Sequence, residues 1–178
     1  MIYWIPIFLF RLKEFKEVKM AVGKYTVFTL DNERYAVPIS KVQEVIRFTP
    51  ITPLHDVNPF LKGVINLRGK IIPVIDMRLK FGLPEKPYND RTVFIIVEFF
   101  SGEELYHTGL IVDGVKEVVE IDEDKIEKTP EVGFKFKTKY LNGIIQIQDE
   151  MVMILNLDNI LTTEEVVELE QKMTVSQK

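Results

Sequence analysis

Short runs of alternating or β-branched apolar residues recur along the chain and predict many short strands. The first two, Tyr25–Leu30 and Arg34–Val37, flank the turn-forming residues Asp31–Glu33. The run Thr92–Phe100 is apolar almost throughout, which predicts a strand buried on both faces. This pattern favours a mainly β fold built from small antiparallel barrels, which leave few sheet edges exposed. The other predicted strands are Glu44–Phe48, Val64–Leu67, Ile71–Ile75, Leu105–Val112, Val115–Ile121, Leu141–Gln148 and Met151–Leu157.

Helical signals are few, and each follows a residue that can cap a helix. The predicted strands Val64–Leu67 and Ile71–Ile75 are separated by Arg68, Gly69 and Lys70. A glycine with basic residues between two strands is typical of a tight hairpin turn. The predicted helices are one turn opened by Ser40 and Gln43, a short helix at Asp76–Phe81, one turn opened by Asp122, and a C-terminal helix from Thr162 to about Lys172.

The sequence contains two copies of one pattern. The hairpin sequence that begins LKGVI at residue 61 recurs as LNGII at residue 141, and the block ISKVQEVI at residues 39–46 recurs as VDGVKEVV at residues 112–119. Because both blocks occur in the same order, we interpret the chain as two related β units. The sequence therefore predicts a first barrel at residues 21–83, a linker at 84–90, a second barrel at 91–161, and a helix and tail at 162–178.

Residues 1–20 do not fit this pattern. Their apolar run contains Pro6, is too short to span a bilayer and lacks the features of a signal peptide. Phe8, Leu12, Phe15 and Val18 have the spacing of an amphipathic helix. We expect an appendage that folding does not require, either native or an over-extended start, and we expect any ordered part of it to cover an apolar surface of its own chain or of a neighbour.

Composition argues against several classes of function. The net charge is −4, whereas proteins that bind a nucleic acid duplex normally carry a basic face. The chain has no cysteine, which fits a reducing compartment and excludes thiolate chemistry. His55 and His107 are too few for a zinc site, and Ser40 and Ser101 are better explained as cap and turn residues. We therefore expect a binding module with no enzymatic activity, metal or cofactor.

Comparing the two copies separates packing residues from candidate binding residues. Arg68 has Gln148 as its counterpart, so the hairpin itself does not need an arginine. Two interpretations are open: a solvated surface residue, or an interface anchor of the kind that arginine often provides. Val42, Val45, Val115 and Val118 likewise either belong to the core or line a groove for a partner helix.

The run GVINLRGKIIPVID at residues 63–76, with VDGV at 112–115 and YTVFTL at 25–30, resembles the CheW family of chemotaxis coupling proteins. The resemblance extends from about residue 24 to residue 169. It implies two SH3-like five-stranded barrels and a non-enzymatic adaptor. The regulatory domain of the histidine kinase CheA shares this fold, but the chain has no room for a kinase core.

The resemblance also implies partners. The adaptor would connect the cytoplasmic helical hairpins of chemoreceptors to the CheA regulatory domain; it would be cytoplasmic and would reach membrane arrays only through those partners. An adaptor of another array, such as one for surface motility, is the alternative. By resemblance, receptor binding is expected at Val42, Gly63, Arg68 and Val118, and coupling or kinase binding at Glu44, Phe48 and Ile51.

Overall fold

The fold is mainly β, as the sequence predicted. A computed structural model describes residues 21–130 and 138–176 and contains ten strands and two α-helices in that part of the chain. The prediction about residues 1–20 lies outside the described residues, as does part of the loop that follows residue 128. The elements in chain order are β1 (Val22–Leu30), β2 (Glu33–Pro38), β3 (Val42–Arg47), β4 (Leu61–Leu67), β5 (Lys70–Asp76), α1 (Met77–Lys80), β6 (Val93–Ser101), β7 (Glu104–Val112), β8 (Gly114–Asp122), β9 (Leu141–Ile147), β10 (Glu150–Leu155) and α2 (Thr163–Ser176).

Each of the two five-stranded sheets takes strands from both sequence copies. Sheet A has the order β8-β1-β2-β10-β9, and sheet B has the order β3-β6-β7-β5-β4. The first copy comprises β1–β5 and the second comprises β6–β10. Replacing each strand of sheet A by its counterpart in the other copy gives the strand order of sheet B, which confirms the internal repeat. The assignment of one barrel to residues 21–83 and the other to 91–161 is wrong, because β3–β5 and β8–β10 have changed places. The repeat fixes the order of strands within a barrel, but it does not determine which copy supplies them.

The two sheets close into barrels by the same device. Thr52, in the loop after β3, exchanges two backbone hydrogen bonds of 2.8 Å with Val64 on β4. Glu127, after β8, makes the same pair of bonds with Ile144 on β9. All five strands of each sheet contribute apolar side chains to a core inside that sheet.

A third and larger core joins the two barrels. It contains apolar residues of both sheets and the stripe Val166 and Leu169 of α2. The barrels are therefore packed against each other, and α2 covers part of their junction. The 3-10 turn Ile39–Lys41, which connects β2 of sheet A to β3 of sheet B, contacts both β1 and β6.

The capping predictions had mixed outcomes. The Asp76 side chain accepts hydrogen bonds from the backbone N–H groups of Arg78 and Leu79, as predicted for an N-cap. The Thr162–Glu165 capping box also forms, with distances of 2.8 and 3.3 Å. The Ser40 capping box is wrong, because Ser40 lies inside the 3-10 turn and the N-cap residue is Pro38. That turn is only three residues long, so Ser40 has no helical N–H group to cap.

Candidate protein-binding surface

The hairpin turn presents Arg68 to solvent. Leu67 pairs with Lys70, so Arg68 and Gly69 form a two-residue loop with φ values of 50° and 85°. Asn66 stabilises the loop by accepting a 2.8 Å hydrogen bond from the Gly69 N–H group through its side chain. A positive φ favours glycine or asparagine in such turns, so the backbone does not account for an arginine at this position.

Arg68 is joined to Glu44 by two hydrogen bonds. Arg68 Nη1 donates to Glu44 Oε1 at 2.9 Å, and Nη2 donates to Oε2 at 2.7 Å. Glu44 lies on β3 and Arg68 follows β4, so the pair spans the two edge strands of sheet B at the seam where the barrel closes. The Arg68 side chain is 76% exposed and that of Glu44 is 26% exposed. The carboxylate thus orients the guanidinium group while leaving most of it free for a partner.

This pair joins two residues that the sequence assigned to different partners. Sequence comparison gave no direct signal for the contact, although it contained an indirect one. The acid occurs in both copies, as Glu44 and Glu117, whereas the base occurs only in the first copy. A residue that occurs in only one of the two copies indicates a site that is present in only one of the two barrels.

Val42 and Val118, the two valines expected at the receptor site, lie on different sheets. Val42 begins β3, pairs with Val97 and packs half-buried against the inter-barrel core. Val118 lies on β8, pairs with Thr26 on β1 and is 54% exposed. The turn before Val42 packs against β1, the strand with which Val118 pairs. Val42 therefore has partial core contact, whereas Val118 contributes exposed apolar surface.

Gly63 has a different environment from the other predicted receptor residues. It is buried with φ at +145°, and a Cβ atom there would lie 2.1 Å from Thr52 O and 2.8 Å from Ile51 Cγ2. Gly143 has the same relation to Glu127 in the second copy, with a distance of 2.4 Å. Gly63 is therefore a packing residue that positions the segment containing Ile51.

Phe48 contributes an exposed aromatic ring just beyond β3. Its ring centroid lies 5.1 Å from that of Tyr88 and 5.5 Å from that of Phe94, the latter in an edge-on arrangement. Ile51 is partly buried against the same barrel core. The backbone N–H of Phe48 donates to the carbonyl of Thr92 at 3.3 Å. The linker that carries Tyr88 thus supports Phe48, a contact that the sequence did not predict.

An ionic network lies beside the linker, next to a cleft of about 620 Å³. The Arg78 side chain is only 5% exposed; it donates to Asp113 Oδ2 at 2.6 Å and to the carbonyl of Pro84 at 2.9 Å. Asp31 lies 3.6 Å from Arg78 and 3.0 Å from Lys86. The hydrogen bond from Lys86 lowers the pKa of Asp31. Sequence reasoning missed this network, although Arg78 faces Asp158 in the other copy and so met the same one-copy criterion as Arg68.

The hydroxyl group of Tyr88 connects the linker to α1. It donates a 2.9 Å hydrogen bond to Asp76 Oδ2, the same carboxylate that caps the helix. Burial, together with the Asp76 carboxylate, raises the pKa of Tyr88 well above its usual range. Tyr88 therefore remains a neutral donor, and the linker is attached both through its ring and through its hydroxyl group.

Residues 21–130 and 138–176 contain no group of three potential metal ligands. No helix in these two ranges is long and apolar enough to cross a membrane. The features that stand out are an oriented arginine, an exposed valine at Val118 and a supported aromatic ring. Arginine and aromatic side chains are enriched in protein interfaces, so the fold and surface define a two-barrel protein-binding domain.

Comparisons with known proteins agree with this class. The family profile for the CheW-like domain matches residues 24–165. Chemotaxis protein CheW of Klebsiella aerogenes is 35% identical over 142 residues, which cover 80% of this chain and 83% of the relative. Chemotaxis protein CheW of Bacillus subtilis is 31% identical over 141 residues, covering 79% and 88%. The crystal structure of the scaffolding protein TtCheW from Thermoanaerobacter tengcongensis matches with a TM-score of 0.72 and 38% identity, covering 80% of this chain and 90% of the other. The chain belongs to the CheW family.

Proposed function

We propose that this protein is a non-enzymatic adaptor that couples the cytoplasmic helical tips of chemoreceptors to the regulatory domain of the histidine kinase CheA. The observation that carries the proposal is the Arg68–Glu44 pair, in which an exposed arginine is held in place by two hydrogen bonds. Family membership supports the same role, since the similar proteins are named for chemotaxis and scaffolding.

The receptor-binding surface in this proposal consists of Val42, Arg68 and Val118, with Glu44 as the orienting group. A receptor helix would lay its apolar face along the groove beside β1, and an acidic side chain of that helix would meet the exposed guanidinium group. Gly63 contributes by positioning the loop after β3 and does not itself provide contact surface, because it is buried.

The kinase-binding surface consists of Phe48 and Ile51, at the far end of β3 from Val42. The exposed Phe48 ring is already ordered by Tyr88 and Phe94, so a partner would immobilise little side-chain freedom on contact. The two surfaces lie at opposite ends of one strand. A single rigid element would then hold receptor and kinase in a fixed relation.

Substituting Arg68→Ala tests the receptor surface. An exposed ion pair contributes at most about 1 kcal/mol to folding, so the melting temperature should change little. An arginine at an interface centre contributes about 2 kcal/mol or more, so affinity for a receptor cytoplasmic fragment should fall roughly thirtyfold. Both quantities are measured on the same protein, by calorimetric melting and by titration with the fragment.

Gln148→Ala is the matched control, because Gln148 occupies the equivalent turn with φ at 48°. It should leave receptor binding unchanged. Arg68→Asn gives a second variant suited to the turn's positive φ. Early melting of both Arg68 variants would assign the arginine a structural role, and normal receptor binding by both would contradict the receptor surface.

Substituting Phe48→Ala tests the kinase surface separately. Binding to the isolated CheA regulatory domain should weaken by about 2 kcal/mol, as expected for an aromatic anchor, while receptor binding should stay at the wild-type level. Phe100→Ala is the control, because Phe100 is an exposed phenylalanine of sheet B outside the proposed surface. Equal effects of the two substitutions on kinase binding would contradict the assignment.

A further inference from the structure

An apolar groove of about 600 Å³ lies between α2 and the β5–β7 face of sheet B. Its lining includes none of Val42, Val118 and Phe48. Ile71 and Leu105 are exposed at its side, which leaves apolar surface open to solvent. Its apolar lining includes Ile71, Pro73, Leu105, Val166, Leu169 and Met173.

The rim of the groove is acidic. The hydroxyl group of Tyr106 lies 2.7 Å from Glu104 Oε2 and 2.8 Å from Glu170 Oε1, so it can donate to either carboxylate. These hydrogen bonds raise the pKa of Tyr106, which therefore adds no negative charge of its own. An occupant with an apolar face and flanking cations would complement this surface.

Residues 8–19 of the same chain have that composition. Phe8, Leu12 and Phe15 recur at the spacing of one helix face. The cations Arg11, Lys13, Lys16 and Lys19 outnumber the acids Glu14 and Glu17 in this stretch. Its apolar stripe and its positive balance match the groove and its rim.

A series of contacts leads from β1 to the side of the groove. Tyr25 pairs with Pro38, which directly precedes the turn ending at Lys41. Lys41 Nζ lies 4.9 Å from the centre of the Phe100 ring, and Phe100 pairs with Leu105 at the side of the groove. Residues 16–21 join Phe15 to the start of β1 and span about 20 Å when fully extended, so a contact between Phe15 and Leu105 requires Leu105 to lie within that distance of the start of β1.

We propose that residues 8–18 bind in this groove within the same chain, with their apolar residues against Leu105, Leu169 and Met173 and their cations facing Glu104 and Glu170. The segment would thereby cover the apolar surface between α2 and sheet B. This inference does not depend on the adaptor role.

Disulfide trapping tests the proposal directly, because the chain has no natural cysteine. The full-length protein would carry Leu12→Cys with Met173→Cys or, independently, Phe15→Cys with Leu105→Cys. Under mild oxidation we expect an intramolecular disulfide in both variants, detected by mass spectrometry, that forms at least tenfold faster than in the control. The control combines Leu12→Cys with Met151→Cys, since Met151 is exposed on β10 of the other barrel.

Thermal melting of the reduced variants verifies that they fold. If the variant with cysteines at positions 12 and 173 does not fold, the variant with cysteines at positions 15 and 105 provides the test. Adding Glu170→Lys should slow disulfide formation severalfold at low salt, because it reverses one rim charge. Equal rates in test and control pairs would overturn the proposal. Dimers linked between chains, in place of the intramolecular product, would also overturn it and would identify a second copy as the occupant.

Discussion

At the residue scale, two glycines determine how the barrels close. The loop after β3 and the loop after β8 approach the chain so closely at Gly63 and Gly143 that a methyl group would overlap a backbone carbonyl oxygen. Neither oxygen can withdraw without loss of the hydrogen bonds that Thr52 and Glu127 make to the neighbouring strand. The sequence repeat preserved both glycines, which already favoured a packing role over a binding role.

We predict that Gly63→Ala destabilises the protein by about 2 kcal/mol or more, since it combines a steric overlap with a positive φ. Gly143→Ala should cost less, because it has the overlap without the left-handed backbone. Gly69→Ala is the control for backbone strain alone, as its φ is +85° and its surroundings are open; it should cost about 1 kcal/mol. Urea unfolding measures all three, and a Gly63 variant no less stable than the Gly69 variant would contradict the packing role.

Comparison of the copies identified a surface position at which one copy differs from the other. It singled out Arg68, whose exposed side chain and bidentate partner fit a binding role. It could not predict the Glu44 contact, because β3 and β4 meet only after the sheet has curled. Gly63 was assigned to binding by resemblance, which does not distinguish a residue that contacts a partner from one that positions a contact.

At the element scale, α2 is attached to the barrels by an ion pair as well as by apolar packing. Lys80, at the end of α1, donates to both carboxylate oxygens of Glu165 at 3.0 and 2.9 Å, and its side chain is 2% exposed. The ammonium group also lies 4.0 Å from the centre of the Phe60 ring and 5.2 Å from that of Tyr140. The aromatic faces favour the cation, so the lysine is held by three groups at once.

We predict that Glu165→Leu destabilises the protein by about 3 kcal/mol or more, because it leaves the Lys80 charge buried without its partner and also removes the capping-box carboxylate that accepts from the Thr162 N–H group. Combining it with Lys80→Met should recover much of that loss, since two apolar side chains then replace a buried ion pair. Thermal unfolding of wild type, both single variants and the double variant gives the coupling between the two positions. Additive effects of the two substitutions would contradict the anchoring role.

Individual elements were predicted from the sequence more accurately than their partners. Local signals act within a few residues, so the strands, the Asp76 cap, the hairpin turns and the Thr162 capping box could be identified. Strand pairing is not local: β2 pairs in parallel with β10, and β5 with β7, across large sequence separations. No periodicity in either strand specifies such a partner.

At the scale of the whole molecule, the exchange of strands makes the two barrels interdependent. Sheet A requires β1 and β2 from one copy and β8–β10 from the other, and sheet B requires the complementary set. The sequence repeat suggested independent units, because repeated domains usually have cores of their own. Here each copy divides its strands between two cores, and the inter-barrel core adds residues of both sheets. The linker at residues 84–90 therefore joins two halves of one folding unit.

We predict that the fragments 21–87 and 88–178 do not fold separately. Each lacks two or three strands of both barrels, so neither can close a sheet around a core. Alone, each fragment should show no cooperative unfolding transition and little protection of its backbone amides from hydrogen exchange. Mixed in equal amounts, they should regain strand circular dichroism and a single transition whose midpoint rises with concentration, because association is part of folding. Independent barrels would give the opposite result: each fragment would melt cooperatively by itself, and mixing would change neither midpoint. The linker offers a control, since cleavage there in the folded protein should leave the barrels assembled until a denaturant separates the fragments.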